Sequence, residues 1–310
     1  MAAVDIPYRR EFAFEYGQLE PVAPGVRRIV ARNPGPFTFR GTGTYVIGEG
    51  EVAVIDPGPD LDEHVAALIE SLSGERVSHI LVTHTHNDHS PAAKPLKEAT
   101  GAPTYGFGPH AGGRRGEIGP EAGGDWDFVP DVVVSDGGTI AGTGWRFEAV
   151  HTPGHTSNHL CFALPDVGIL FSGDHVMGWS TSVIAPPDGD MAAYMGSLDK
   201  LLARKEDAVY WPTHGPAITE PGRHVRAFIA HRREREAGIV DCLKAGAEMI
   251  EAIVERLYVG LNPALRPAAG RSVLAHLLDL IGRDIVAADG PATPTAHYRL
   301  RHLARPAQRD

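Results

Sequence analysis

Four side chains that commonly bind metal ions lie within six positions of the segment THTHNDH: His84, His86, Asp88 and His89. Imidazole nitrogens and carboxylate oxygens are the ligands of catalytic zinc sites, and burying them without a partner is costly. Alternate residues of an extended segment share a face, so we expect His84 and His86 to hold one ion. We expect Asp88 and His89 to turn toward a second ion nearby.

Three later segments add candidates, each directly after an apolar run. HTPGHT offers His151 and His155, FSGDHV offers Asp174 and His175, and WPTHG offers His214. A lone histidine of this kind is more often a surface residue or a hydrogen-bonded core residue. For so many on loops that follow apolar runs, chance is a poor explanation, and we predict a metal site.

The elements that must position these residues are short strands and a few helices. Strands are predicted on both sides of the turn at 48–50, the second ending at Asp56, and in VSHILVTH, WRFEAVHTPGHT, HLCFALP, VGILFSGD and DAVYWPTHG. Helices are predicted in LDEHVAALIESL and DMAAYMGSLDKLLAR. Strands outnumber helices, and some are connected through helices, so we predict two sheets with helices outside.

The character of the chain changes after Pro221. A long charge-rich helix, GRHVRAFIAHRREREAGIVDCLKAG, is followed by the amphipathic segments EMIEAIVERLY and SVLAHLLDLI and by the β-like segments RDIVAAD and AHYRLRHL. Three helices followed by a hairpin is the order of a winged-helix module. We therefore predict an α/β chain with a catalytic domain over residues 1–220 and a winged-helix-like domain over residues 221–310.

Composition limits the classes of function. The 310-residue chain has no apolar run of about 18 residues and no apolar leader, so we expect no membrane span. Cys161 and Cys242 are far apart without a CxxC partner, which favours the reducing cytoplasm. Residues 221–310 hold 14 Lys and Arg against 10 Asp and Glu, a net charge of +4. Residues 1–220 hold 15 against 29, a net charge of −14, which fits either two modules or a basic tail packed on an acidic body.

The motifs THTHNDH, HTPGHT, SGD and PTHG, in this order, resemble those of the metallo-β-lactamase superfamily over about residues 22–220. The resemblance implies an αββα four-layer sandwich with a dinuclear metal site along one edge. It implies that a first metal is held by His84, His86 and His155. It implies that a second metal is held by Asp88, His89 and His214, and that Asp174 bridges the two metals. It also implies that Asp56 and His151 support the site from outside the ligand set.

Hydrolysis is the chemistry that this resemblance implies. A hydroxide held between two divalent ions is available near neutral pH, because coordination lowers the pKa of water from 15.7 to about 7. We expect zinc, with manganese or iron as alternatives. Asp88 is expected to orient the hydroxide and to shuttle its proton. Asp174 stands where many β-lactamases have a cysteine, which favours the glyoxalase II, lactonase and ribonuclease branches.

Two substrate classes stay open. The segments SGDHVMGWSTSV, YMGSLDKLL and AFIAHRREREAGIVDCL resemble the lactamase-β-like subgroup with a C-terminal winged helix, which includes an endoribonuclease for single-stranded RNA. Six arginines either contact RNA phosphates or form a solvated face: Arg232, Arg233, Arg235, Arg271, Arg299 and Arg301. The acidic catalytic domain favours a small ester, thioester or lactone instead, with selectivity set by loops at 32–43, 101–124 and 178–190.

Two further roles are open for the C-terminal module. A non-enzymatic winged-helix regulator that binds nucleic acid would predict missing ligands, and none of the seven is missing. The module could also assemble the chain into a homodimer through its apolar helix faces.

Overall fold

Two β-sheets pack face to face in the computed structural model, which describes residues 4–111 and 123–301. The strands of the first sheet lie in chain order: β1 (Glu20–Ala23), β2 (Val26–Val30), β3 (Gly43–Ile47), β4 (Glu51–Ile55), β5 (Arg76–Leu81), β6 (Thr104–Gly106) and β7 (Val132–Val133). The second sheet contains β8 (Thr139–Gly142), β9 (Trp145–His151), β10 (Leu160–Leu164), β11 (Ile169–Gly173) and β12 (Val209–Pro212), also in chain order.

Side-chain alternation along the strands produces the layers. Tyr45 and Ile55 face the second sheet and pack with Phe147 in the central core. Val46 and Val54 point to the opposite face of their sheet and pack in a separate outer core. Successive side chains of a strand point to opposite faces, so a sheet buried on both sides reads as the apolar runs seen in the sequence.

Helices cover the outer face of each sheet. α1 (Asp62–Ser71) and α2 (Ala93–Thr100) contribute Leu68 and Leu96 to the core outside the first sheet. α3 (Met191–Ala203) and α4 (Pro221–Lys244) contribute Tyr194 and Phe228 to the core outside the second sheet. The expected αββα sandwich is confirmed.

The C-terminal part has its own core. It is formed by the end of α4 together with α5 (Ile250–Leu257), α6 (Arg266–Gly282) and the hairpin of β13 (Val286–Ala288) and β14 (Tyr298–Leu300). α4 is shared, because Phe228 packs against the sandwich and Ile239 packs in the C-terminal core. The expected order of helices and hairpin is present, and the end of AHYRLRHL beyond residue 301 lies outside the described residues.

Each sheet contains a parallel strand pair whose carboxyl ends lie side by side. β4 runs parallel to β5, and β11 runs parallel to β12. Carboxyl ends of parallel neighbours lie at the same edge, so the residues after β4 and β5 are neighbours, as are those after β11 and β12. Of the expected loop at 101–124, residues 112–122 lie outside the described ranges. In the described part of the chain, every helix is too short or too polar to cross a bilayer.

Candidate metal centre

Three histidine nitrogens converge at the first group of predicted ligands. His84 and His86 follow β5, and His155 lies in the loop between β9 and β10. Nε2 of His84 lies 3.0 Å from Nδ1 of His86, and Nε2 of His155 lies 3.1 Å from the same atom. Nδ1 of His155 donates to the carbonyl oxygen of Val183 at 2.7 Å, which orients Nε2 toward the other two rings. Three nitrogens gathered in this way could hold one ion.

The second group lies beside the first. Oδ2 of Asp88 is 3.1 Å from Nε2 of His214 and 3.6 Å from Nε2 of His89. Oδ2 of Asp174 lies between the groups, 3.4 Å from Nε2 of His214 and 3.9 Å from Nε2 of His155. The structure thus gathers all seven predicted ligands, with Asp174 within 4 Å of a histidine nitrogen of each group.

The donor atoms of these residues fit metal ions. Oδ1 of Asp88, Oδ1 of Asp174, Nε2 of His89 and Nε2 of His214 are all buried without a hydrogen-bond partner. Buried polar atoms in folded proteins are nearly always hydrogen-bonded, so four orphaned atoms facing one centre indicate that a ligand belongs there. Nitrogen and carboxylate oxygen donors suit zinc, manganese and iron.

Charge is divided unevenly between the two groups. Burial lowers the pKa of His86 to about 3, and burial together with the surrounding histidines lowers the pKa of His84 well below its usual value. Burial also disfavours the charged form of His214, but Asp174 and Asp88 outweigh it and raise the pKa of His214 to about 10. Burial would likewise raise the pKa of Asp88, yet His89 and His214 lower it to about 2. Without metal, the second group is therefore a set of paired charges, whereas His84 and His86 of the first group are neutral.

Asp56 supports both groups from behind. Its Oδ1 accepts from the backbone N of Thr83 at 2.8 Å, and its Oδ2 accepts from the Thr83 hydroxyl at 2.7 Å, from Nδ1 of His89 at 2.9 Å and from the Thr213 hydroxyl at 2.9 Å. The Thr83 hydroxyl in turn accepts from Nδ1 of His84 at 3.1 Å. The carboxylate fixes the ring orientation of His89 directly and that of His84 through Thr83.

His159 has a role that the sequence did not reveal. It is buried, and its Nε2 accepts from the backbone N of Asp174 at 3.2 Å. Its Nδ1 donates to the hydroxyl of Thr152 at 2.8 Å. Gly173 makes room for the ring, because a Cβ there would lie 2.5 Å from Nε2 of His159, and its φ of 52° also favours glycine. The nearest signal in the sequence is the glycine itself, directly before Asp174.

His151 and His175 lie outside the ligand groups. The ring of His151 stacks on Phe107 with centroids 3.8 Å apart, and its Nε2 donates to the carbonyl oxygen of Ser157 at 3.0 Å. It therefore braces the loop that carries His155. His175 is buried against Tyr194, with ring centroids 4.5 Å apart.

A cavity of about 470 Å³ opens onto the centre. His86, Asp88, His155 and Asp174 line it at one end. The remaining wall is largely apolar. It comes from the N-terminal segment, from the loops at 36–39 and 177–183, from α4, from the segment between α5 and α6, and from α6. Its large apolar side chains are Phe37, Phe39, Met177, Trp179, Tyr258, Leu261 and Leu265. Two of the loops expected to set selectivity therefore border the cavity, and so does the C-terminal part of the chain.

The arginines expected at the surface occupy different environments. Arg232 is 4% exposed and lines the cavity, so the expectation of a surface position is wrong for this residue. Its position on the buried face of α4 follows from its spacing of four and three residues from Phe228 and Ile229. Arg235 donates to the carbonyl oxygen of Leu257 at 3.0 Å. Arg301 pairs with an exposed aspartate, and Arg233 and Arg299 are exposed.

Comparison with known proteins identifies the relatives of both parts of the chain. The model of the Metallo-beta-lactamase superfamily matches residues 38–214, and that of the Beta-lactamase associated winged helix domain matches residues 250–292. The Beta-lactamase-like protein 2 homolog of Caenorhabditis elegans is 31% identical over 277 residues, 86% of this chain and 88% of that protein. The Atrochrysone carboxyl ACP thioesterase of Claviceps purpurea is 31% identical over 229 residues, 73% of this chain and 67% of that protein.

A solved structure shares the fold over nearly the whole chain. The Beta-lactamase domain protein from Burkholderia ambifaria superposes with a TM-score of 0.76, covering 96% of this chain and 97% of the other. The two sequences are 20% identical, so this likeness concerns the fold.

Proposed function

We propose that this chain, which belongs to the metallo-beta-lactamase superfamily of hydrolases, cleaves a thioester or a related carboxylic ester of a small molecule. One observation carries the proposal: seven side chains of metal-binding types converge, and four of them line a mostly apolar cavity of about 470 Å³. Cavities of roughly 300–1,000 Å³ suit small organic ligands.

The residues that would hold the metal ions follow from the geometry. His84, His86 and His155 would bind one divalent ion, and Asp88, His89 and His214 would bind the other. Asp174, within 4 Å of histidines from both groups, would contact both ions. When bound, two divalent ions, which we propose to be zinc, supply a nucleophile from water at neutral pH and polarise the scissile carbonyl.

Asp88 performs the proton transfer in this account. Its carboxylate lines the cavity, and its Oδ1 has no hydrogen-bond partner. It accepts the proton of the attacking water and then delivers a proton to the leaving thiolate or alkoxide. Asp56 and His159 hold the surrounding groups in place, and the aromatic side chains along the cavity exclude bulk water from the reacting carbonyl.

Two observations favour a carboxylic ester or thioester as the substrate. The walls beyond the ligands are mostly aromatic and aliphatic, which suits an acyl group better than a ribose-phosphate chain. A relative that aligns with 73% of this chain is named as a thioesterase that acts on an acyl carrier protein. From this relative we carry over the thioester as the bond that is cleaved, and we do not propose that this chain acts on an acyl carrier protein.

Cleavage of a phosphodiester in single-stranded RNA is the alternative. The observation in its favour is that α6 of the winged-helix part and the segment before it border the cavity. Among the six arginines considered from the sequence, Arg232 lines the cavity and the exposed ones lie elsewhere. A regulator without catalysis is disfavoured, because the ligand side chains are present and converge.

Three further expectations remain proposals. We propose a division into domains near residues 220 and 221, although α4 contributes to the cores on both sides. We propose a cytoplasmic location, which the two buried, unpaired cysteines support. Assembly into a homodimer through the winged-helix part stays a prediction.

The test is an assay panel with the zinc-loaded and manganese-loaded protein. The substrates are the benzoyl thioester of N-acetylcysteamine, phenyl benzoate, a lactone and an end-labelled single-stranded RNA. We expect turnover of the thioester or the ester, and a fall in kcat of about 10²- to 10⁴-fold in Asp88→Asn with the fold retained. Cleavage of the RNA alone, or wild-type rates in a metal-loaded Asp88→Asn protein, would contradict the proposal.

A further inference from the structure

Arg232 is a buried cation in the wall of the cavity. Its side chain is 4% exposed, and it lies on α4, the helix shared by the two parts of the chain. One guanidinium nitrogen, Nη2, donates to the carbonyl oxygen of Ser182, and the guanidinium carbon lies 5.2 Å from the ring centroid of Tyr194. Its Nε is buried without a hydrogen-bond partner.

Arg232 lacks a carboxylate partner within residues 4–111 and 123–301. In these ranges, the carboxylates that form ion pairs do so with other arginines, lysines or histidines. None of them lies within ion-pair distance of Arg232. Its ionisable neighbours are tyrosines and histidines, among them Tyr8, Tyr194 and His231. Burial, with Arg232 beside it, lowers the pKa of His231 to about 4, so His231 is neutral at pH 7.

A buried charge without a counter-charge is rare in folded proteins. Ionised side chains are almost never fully buried unless they are paired, because desolvation costs far more than one hydrogen bond returns. Arginine stays charged in proteins, so Arg232 cannot escape this cost by losing its proton. An anionic group of a bound ligand would supply the missing counter-charge. Arg232 lines the cavity through which such a ligand would enter.

The position of Arg232 relative to the candidate metal centre indicates that the anionic group is part of the substrate. Ser182, whose carbonyl oxygen Arg232 contacts, donates its hydroxyl proton toward the carbonyl oxygens of Asp174 and His175. The next residue, Val183, accepts from His155. Arg232 and the candidate ligands therefore flank the same short segment and line the same cavity, so one small molecule can reach both.

We propose that Arg232 binds a carboxylate carried by the acyl part of the substrate, which makes the preferred substrate a thioester or ester of an acid with a second carboxylate and an apolar body. This inference rests on the proposed function, because it assigns the substrate class of the same site. The apolar body lies against the aromatic wall, where Phe39 and Trp179 stack with centroids 4.8 Å apart. The scissile carbonyl then lies at the metal centre.

A single carboxylate fits this site better than a nucleic-acid backbone. A polyanion needs several cations along its path, whereas Arg10, the other arginine of the cavity, is exposed at the N-terminal segment. A guanidinium with free donors matches the two oxygens of one carboxylate. The competing explanation is that Arg232 only anchors Ser182, and the experiment must separate the two.

Binding of two matched ligands tests the assignment directly. Isothermal titration calorimetry with the metal-loaded protein compares 2-naphthoate with 2-naphthamide, which has the same shape without the charge. Wild type is expected to bind 2-naphthoate at least about tenfold more tightly. Arg232→Gln, which can still donate to Ser182, is expected to lose about 10- to 100-fold in affinity for 2-naphthoate, as for other hydrogen bonds to charged groups, with 2-naphthamide unchanged.

Two variants act as controls on charge and on fold. Arg232→Lys keeps the charge but loses the planar fork, so its affinity for 2-naphthoate should fall between those of wild type and Arg232→Gln. Arg233→Gln changes the exposed neighbour on the same helix and should bind as wild type does. Metal content and circular dichroism are measured for every variant.

The outcomes decide between the explanations. Equal weakening of both ligands in Arg232→Gln would show that Arg232 only anchors Ser182, and this would overturn the proposal. So would a wild-type protein without preference, or an Arg232→Lys protein that binds both ligands as wild type does. The last two results remain decisive if Arg232→Gln does not fold.

A kinetic arm separates this inference from the proposed function. The substrates are the N-acetylcysteamine thioesters of 4-carboxybenzoic and 4-carbamoylbenzoic acid, joined through the first carboxyl group. Wild type should prefer the charged thioester by about tenfold in kcat/KM, and Arg232→Gln should remove the preference mainly through KM. If neither thioester is cleaved, the proposed function fails while the calorimetry still tests Arg232. If both are cleaved equally well, the inference alone fails.

Discussion

The carboxylate of Asp56 accepts hydrogen bonds from Thr83, His89 and Thr213, which follow the ends of two different strands. It holds this position with a φ of 48°, a conformation that non-glycine residues rarely adopt. Strain of this kind persists where the surroundings over-determine it, often at functional sites. Asp56 is buried away from the cavity, so its contribution is to orient ligands.

Replacing Asp56 with asparagine should weaken metal binding. The amide group keeps the shape but has one acceptor oxygen where four hydrogen bonds must be accepted, so His89 and Thr83 lose a fixed orientation. We expect metal affinity to fall by about 10- to 100-fold, the usual cost of losing such a partner, measured by competition with a chromophoric chelator. Asp60→Asn, at an exposed position four residues on, is the matched control. Unchanged affinity in Asp56→Asn would show that the carboxylate is not needed.

Residue types and spacing were enough to predict the side chains that converge, but not all of the residues that support them. His84, His86, Asp88 and His89 are close in sequence, so the cluster was visible before folding. His159 supports Asp174 through a contact between two strands, and no periodicity or motif marks it. The burial of Arg232 was indicated by its helical spacing from Phe228, but its charge favoured the prediction of a surface position.

At the scale of elements, the strand ends determine which loops meet. Apolar runs predicted β4, β5, β11 and β12, and their parallel pairing brings the residues after them to common edges. Pairing itself depends on contacts far apart in sequence, so the predicted strands did not define the strand order. For α4, the sequence predicted one long helix, but its division between two cores required the packed structure.

α6 contains a histidine that should make stability depend on pH. His276 is 2% exposed, and both ring nitrogens are buried without hydrogen-bond partners. Burial, with Arg232, His231, Arg283 and Arg235 around it, lowers the pKa of His276 to about 3. The ordinary value is 6.5, so the unfolded chain takes up the proton first as pH falls. The contribution to stability is complete above pH 6.5 and is lost progressively toward about pH 3.

The variant His276→Leu should flatten this dependence. Leucine has similar volume and no proton to gain, so its stability should fall less between pH 7 and pH 5 than that of the wild type. Thermal unfolding at a series of pH values measures the difference. Exposed His297→Leu, in the loop before β14, is the control and should track the wild type. Parallel pH profiles for wild type and His276→Leu would contradict the assigned cause.

At the scale of the whole molecule, the cavity lies between the sandwich and the winged-helix part. The candidate metal ligands come from the sandwich, and Tyr258, Leu261 and Ala268 come from the C-terminal part. The second part therefore forms some of the wall that a ligand in the cavity would contact. The sequence predicted both parts but not how they pack together, because helical periodicity does not show which face a domain turns toward its neighbour.

Enlarging Ala268 should narrow the cavity. Ala268 is buried in the cavity wall, so Ala268→Leu should raise KM for a benzoyl thioester by about tenfold, in line with the usual cost of overpacking, and leave an acetyl thioester nearly unchanged. Metal content should not change. Ala264→Leu, exposed on the preceding turn, is the matched control. An equal effect on both thioesters would indicate that this wall does not contact the acyl group.

Seven side chains from separate strand ends are proposed to form one centre for two metal ions. Anomalous diffraction at the zinc edge from crystals of the zinc-loaded protein would locate these ions. We expect two peaks, one among His84, His86 and His155 and one among Asp88, His89 and His214, with Asp174 contacting both. A single peak, or peaks coordinated by His151 or His175 in place of these residues, would contradict this proposal.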